Sequence, residues 1–199
     1  MVDRLCSTFG RQVATVDGRP WFAFPPVAAL AGNTVERELR EAGFGYRARF
    51  INQTAKMIQD KPDGWLQGLR KLEYQQVHAE LTKLPGVGAK VADCVCLMSM
   101  DKLCAIPVDT HVWQIARRDY MPNLAKTKSL TDRVYREIGE FFQNLFGEYA
   151  GWAHSVLFSA DLKKFQPKTE QPKSPVKRQN SKSDAGDAKI SKKGVKRKK

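Results

Sequence analysis

The chain has 199 residues, 42% of them hydrophobic, and a formal net charge of +13 from 34 Lys and Arg against 21 Asp and Glu. That is enough for one ordinary domain with a real core, and the charge favours a nucleic-acid or other acidic partner. No apolar run reaches the roughly 18 residues of a membrane span, the residues after Met1 do not follow a signal-peptide pattern, and Cys6, Cys94, Cys96 and Cys104 form no CxxC pair and no zinc or cluster spacing.

Residues 1–162 read as all-helical, with no period-2 strand. Gly18, Pro20, Pro25 and Pro26 break residues 16–26 into an irregular segment. Asn33 and Thr34 are expected to cap a short helix that runs to Ala42 and stops at Gly43. Further helices are expected over 46–59, 65–69 and 73–83. The last ends at Leu84-Pro85-Gly86, and another helix starts at Gly88. Asp109 is placed as the N-cap of a helix to Arg118. The strongest periodicity lies in 129–145, where Ser129 and Asp132 resemble a capping box and Leu130, Val134, Ile138, Phe141, Phe142 and Leu145 fall on one face. After Gly147, a last helix over 149–164 offers Trp152, Val156, Leu157 and Leu162 as core residues. The cysteines read as reduced intracellular thiols, mostly in the core.

The charge is concentrated at one end. Residues 163–199 hold 14 Lys/Arg and 3 Asp/Glu, a net +11, while the preceding 162 residues hold 20 and 18, a net +2. With one aromatic residue and three prolines, 163–199 cannot bury enough apolar surface to offset its ordering entropy and reads as a disordered basic tail. Its clusters at 177–178 and 192–199 suit nuclear import or loose phosphate contact. A solvated tail with no specific role is the alternative.

One string carries chemistry. Leu84-Pro85-Gly86-Val87-Gly88-Ala89-Lys90-Val91-Ala92 is a tight turn between two helices, and its glycines let the unpaired N–H groups of the second helix approach a phosphate. The whole string looks like a helix–hairpin–helix (82–92), which grips a DNA backbone without reading sequence. Lys90 falls in the first turn of the second helix, where the helix dipole disfavours a cation. It reads either as a phosphate-binding or exposed lysine, or as a nucleophile whose pKa the dipole and partial burial lower. Cys94, four residues on, shares its face. Asp109 follows nineteen residues after Lys90 in Val108-Asp109-Thr110-His111. As an N-cap it is worth about 1 kcal/mol, and a rigid ionised carboxylate there also suits a catalytic amine.

The hairpin, Lys90 and the V-D-x-H segment together resemble the HhH-GPD superfamily of DNA base-excision glycosylases. Gly45-Tyr46-Arg47-Ala48-Arg49, Val91-Ala92-Asp93-Cys94, Gly151-Trp152-Ala153 and 157–162 further resemble its eukaryotic 8-oxoguanine branch, over nearly all of 1–165. The resemblance implies double-stranded DNA containing an oxidised guanine as partner, a monomer, and location in the nucleus or also the mitochondrion. It implies Lys90 as nucleophile and Asp109 as the group that stabilises charge at the sugar. Cys94 and Phe158 match the walls around an extruded base, Met98 and His154 line the pocket, Tyr46 wedges into the duplex, and Arg47 reads the orphaned cytosine. His111 and the backbone N–H groups of Gly86, Gly88 and Val91 match phosphate contacts. Carbonyls of Thr82, Leu84 and Val87 match a hairpin site for a monovalent or divalent cation. No cofactor is implied. The four-cysteine iron–sulfur cluster of related branches is not expected, because the last cysteine is Cys104. From pattern alone, Tyr46 and Phe158 also fit as core aromatics and His111 as a surface residue.

Two departures stand out. The family usually has Gln where this chain has His154, which has fewer donors and acceptors and titrates near neutrality, so base recognition is expected to change. Family members also carry an antiparallel-sheet domain before the point matched by Met1. The chain is therefore read as a fragment, internal-start isoform or truncated gene model that exposes apolar surface and excises 8-oxoguanine poorly or not at all. A non-catalytic DNA-binding module and a glycosylase for another damaged base are the competing functions.

Overall fold

The computed structural model describes residues 1–162. The tail and its basic clusters lie outside them. Helix α1 (Val2–Phe9) leads into strands β1 (Gln12–Val16) and β2 (Arg19–Phe22). Helices α2 (Val27–Leu30), α3 (Val35–Glu41), α4 (Arg47–Gln59), α5 (Trp65–Leu69), α6 (Tyr74–Leu81), α7 (Ala89–Ser99) and α8 (Thr110–Ile115) follow. A π-turn over Ala116–Tyr120 continues α8, and α9 (Asp132–Phe146) and α10 (Ala150–Asp161) complete the domain. Among the described residues, no helix is long and apolar enough to cross a membrane.

The helical class agrees with the sequence reading, and α1 with it, but residues 12–22 do not. The expectation of no strand is wrong: β1 and β2 pair antiparallel through Asp17-Gly18, both with positive φ, the Asp-Gly chemistry that a tight two-residue turn requires. A register irregularity lies between Gln12 and Ala14. Both strands are almost wholly exposed, so no half-buried alternation marked them. Helix α1 carries Val2, Leu5, Cys6 and Phe9 at helical spacing and buries Leu5.

Three apolar clusters hold the domain. Leu39, Phe44 and Ala48 anchor the first, around α3 and α4. Val77, Ala92 and Cys96 anchor the second, which clamps α6 to α7. Ile106, Val112, Ile138 and Phe142 anchor the third, beneath α8 and α9. Asn52, buried in α4, donates to the carbonyls of Leu30 and Gly32 and fastens α2 to α4.

Several local expectations need correction. Thr131, not Ser129, caps α9, accepting from the Val134 N–H, and the helix begins at Asp132. Thr34 caps α3 without a side-chain bond, while Asn33 accepts from Lys56 of α4. Val134, Ile138 and Phe142 are buried as expected, but Leu145 is exposed. On α10 the buried residues are Ala150, Gly151 and His154, whereas Trp152 and Val156 face outward. The cause is Gly151. A methyl group there would sit 2.5 Å from the Ala105 carbonyl oxygen, so α10 meets 103–105 backbone to backbone and its bulky residues turn away. Val13, Val16, Trp21 and Phe24 are also exposed, so apolar surface is open at both the strand pair and α10.

Candidate active site

The turn between α6 and α7 is built from below. Gly86 has φ +77°, and a methyl group on it would lie 2.6–2.8 Å from the Phe50 ring of α4. Only glycine fits both the conformation and the space. Thr54, one turn further along α4, donates to the Pro85 carbonyl at 3.0 Å, and the Val87 N–H closes the turn onto the Leu84 carbonyl at 3.1 Å. Gly88, extended, caps α7 without a side chain, so the first N–H groups of that helix have no capping partner from it.

The start of α4 sits over the same support. Tyr46 is exposed, so the core-aromatic reading fails. Its ring meets Phe50 edge to face at 6.2 Å, and Arg47 lies over it at 4.8 Å. A continuous stack therefore runs from Arg47 through Tyr46 and Phe50 to Gly86, and places two of the expected DNA-contacting residues beside the hairpin.

Lys90 and Asp109 come together across an open groove of about 540 Å³. The Lys90 ammonium lies 3.9 Å from Oδ2 of Asp109. The Lys90 side chain is about half exposed (53%), against 21% for Asp109. Asp109 splits its duties between its two oxygens. Oδ1 accepts from the N–H groups of His111 and Val112, both at 2.9 Å, and so caps α8. Oδ2 faces Lys90 and, at 3.5 Å, Nδ1 of His111. The cap thus aims the free oxygen at the amine.

Phe158 of α10, like Cys94, Met98 and His154, does not line this groove and reaches it only through His111. Its ring meets His111 edge to face at 5.8 Å and His154 at 6.4 Å. His154 is buried, with neither ring nitrogen hydrogen-bonded. Burial pushes its pKa below 6.5, opposed by the Gly151 backbone and the charge of Asp109. Burial pushes the Cys94 thiol up, and the charge of Lys90 pulls it back. This thiol is therefore a neutral wall rather than a nucleophile. Met98, one turn beyond Cys94 on the same face, is strongly exposed and borders open space. Among the described residues no group of three or more His, Cys, Asp or Glu is placed to hold a metal.

Sequence reasoning missed Phe50 and Thr54, which shape the hairpin from α4, and Tyr135, which lines the groove from α9. Nothing in the spacing ties them to Lys90. Asp93 was a visible clue, an acid in the most apolar stretch of the chain. It is 1% exposed and accepts from the hydroxyls of Tyr74 and Tyr135.

The family model for HhH-GPD superfamily base excision DNA repair proteins matches residues 1–141. The chain belongs to this superfamily. Among curated relatives, the N-glycosylase/DNA lyase OGG1 of Arabidopsis thaliana is 47% identical over 165 residues, covering 81% of this chain and 44% of that protein. The N-glycosylase/DNA lyase of Saccharomyces cerevisiae is 39% identical over 186 residues, covering 81% and 50%. This HhH-GPD chain thus spans about half the length of the curated relatives it matches. Among solved structures, the Clostridium acetobutylicum 8-oxoguanine glycosylase/lyase in its apo-form superposes with a TM-score of 0.65 at 30% identity, covering 79% of this chain and 51% of that one. The same protein in complex with double-stranded DNA containing cytosine opposite 8-oxoguanine also gives 0.65, at 29% identity.

Proposed function

We propose that this HhH-GPD chain is an N-glycosylase and abasic-site lyase of base-excision repair, directed at oxidised guanine opposite cytosine in double-stranded DNA. The observation that carries the reading is the 3.9 Å approach of Lys90 to an Asp109 carboxylate locked by its own helix cap. A module that only grips the backbone needs neither group. Once its ammonium proton has passed to solvent, the Lys90 amine attacks C1′ of the sugar, the glycosidic bond breaks with its electron pair going to the departing base, and the attacking nitrogen sheds one proton to that base. Asp109 Oδ2 stabilises the positive charge that develops at the sugar. The C1′–O4′ bond then breaks, the remaining N–H proton passes to O4′, and the opened sugar is held as a Schiff base. Removal of a C2′ proton then expels the 3′ phosphate.

The same reading gives the surrounding residues their roles. Gly86, Gly88 and Val91 offer backbone N–H groups to one phosphate, and His111 contacts another. Tyr46 enters the duplex and Arg47 meets the orphaned cytosine. Cys94, Met98, His154 and Phe158 surround the extruded base. No cofactor is required. A cation on the carbonyls of Thr82, Leu84 and Val87 would lend charge to the phosphate grip, and no step runs through it. The protein acts as a monomer in the nucleus, with the mitochondrion as a second location.

Borohydride trapping on duplexes containing 8-oxoguanine, an abasic site or undamaged guanine tests the function. Adduct on the abasic and 8-oxoguanine duplexes and none on the undamaged one is expected. Salt-sensitive binding with no adduct on any duplex would mark a non-catalytic module.

His154 yields a separate expectation. In the folded chain its pKa is below 6.5, so as pH falls through that value the unfolded chain takes up the proton first. Its contribution to stability is therefore complete above about pH 6.5 and declines below it. Thermal melts between pH 7.5 and 5.5 (values set around the ordinary histidine pKa of about 6.5) should show a falling midpoint, with a smaller fall in His154→Gln. The same variant should bind 8-oxoguanine duplex more tightly, and unchanged affinity and rate would remove His154 from the pocket.

A further inference from the structure

Behind the groove, between α6, α7 and α9, lies a second cavity of about 290 Å³ whose lining includes Tyr74, His78, Asp93 and Tyr135. Asp93 sits within α7 three residues from Lys90, and the reaction above does not use it. Its Oδ1 accepts from the Tyr74 hydroxyl at 2.7 Å and lies 3.7 Å from Nε2 of His78. Its Oδ2 accepts from the Tyr135 hydroxyl. While its hydroxyl donates to Asp93, the Tyr135 oxygen still accepts, and the Val108 N–H donates to it at 3.4 Å. The Ile106 carbonyl lies at the same distance.

This placement differs from that of Tyr74. Both tyrosines hold the same carboxylate, but only Tyr135 reaches on to the buried segment 105–108, which ends at Asp109. The Tyr135 side chain also lines the Lys90–Asp109 groove and so forms the wall between the two cavities. Burial and the adjacent carboxylate hold both phenols well above their ordinary pKa, so both remain donors.

We propose that Tyr135 is a positioning residue for the Lys90–Asp109 centre: its hydroxyl, anchored on buried Asp93, receives the Val108 N–H and fixes the turn that aims Asp109 Oδ2 at the amine. The inference rests on the lyase reading above. A small displacement of a reacting pair lowers the rate of chemistry while leaving ground-state binding largely alone.

The test compares Tyr135→Phe with Tyr74→Phe in the full 199-residue chain. Each removes one hydroxyl from the same carboxylate, but only the first breaks the link to Val108. Single-turnover borohydride trapping on an abasic duplex gives the rate, and fluorescence anisotropy at fixed salt gives the affinity. Tyr135→Phe should slow trapping about tenfold with affinity held within about twofold, while Tyr74→Phe stays within about twofold in both. Equal trapping rates in the two variants would overturn the inference, since loss of core stability alone would affect both alike. If Tyr135→Phe does not fold, Asp93→Asn takes its place, because it weakens the anchor and leaves the phenol. A slower rate at unchanged affinity then supports the inference, and an unchanged rate overturns it. No adduct with the unmodified chain would instead remove the lyase reading, and this inference with it.

Discussion

Lys90→Gln should abolish the borohydride-trapped adduct on an abasic duplex, a loss of at least about a hundredfold, while duplex affinity falls by no more than about threefold. The two readouts separate because Lys90 is half exposed on the groove wall, and its replacement leaves the turn from Leu84 to Gly88 untouched. One lost cation weakens the phosphate grip modestly, whereas losing the only amine placed against Asp109 among the described residues removes the covalent step. Asp109→Asn sharpens the result. Asparagine caps a helix about as well as aspartate, so α8 should survive, but the charge facing the amine is gone. Its trapping rate should drop about ten- to a hundredfold with the melting temperature nearly held. An adduct of undiminished yield in Lys90→Gln would transfer the chemistry to another amine.

Gly86→Ala should have the largest effect on binding. The left-handed backbone at φ +77° costs an L-residue about 1–2 kcal/mol, and a methyl group 2.6–2.8 Å from Phe50 adds about 1–3 kcal/mol of overpacking. To relieve it, either the turn lifts off α4 or Phe50 moves and takes Tyr46 with it, and both disturb the DNA-facing surface. A lower melting temperature and at least about a tenfold loss of duplex affinity are expected. Phe50→Ala in the same chain should recover part of the lost stability, since it removes the clash but not the backbone cost. Gly88→Ala provides the contrast. Gly88 has φ −89° and open space around it, so its substitution should leave folding intact and weaken only DNA binding, where the methyl group meets the phosphate.

How far the sequence discloses this molecule depends on how local the physics is. The hairpin is legible because a proline and two glycines at fixed spacing leave the backbone few alternatives. The approach of Lys90 to Asp109 is legible only through the family pattern, since nothing in a separation of nineteen residues brings them within 3.9 Å. The faces of α10 were misjudged for a definite reason. Trp152 and Val156 have helical spacing and apolar character, yet Gly151 decides the orientation by allowing the helix backbone to touch 103–105. The strand pair escapes the sequence because Gly18 reads as a breaker, whereas with Asp17 it makes a hairpin turn, and exposed strands show no alternation. Phe50, Thr54 and Tyr135 act across 27 to 36 residues of chain, on Gly86, Pro85 and Val108, and no local pattern encodes such pairs.

The central claim is that one amine, on Lys90, forms the covalent link to DNA. Mass spectrometry of the borohydride-trapped adduct, after digestion of protein and DNA, tests it most directly. The reduced sugar remnant should map to Lys90 alone. A remnant on any other lysine or on the N-terminal amine, or no adduct from a folded, DNA-bound chain, would contradict it.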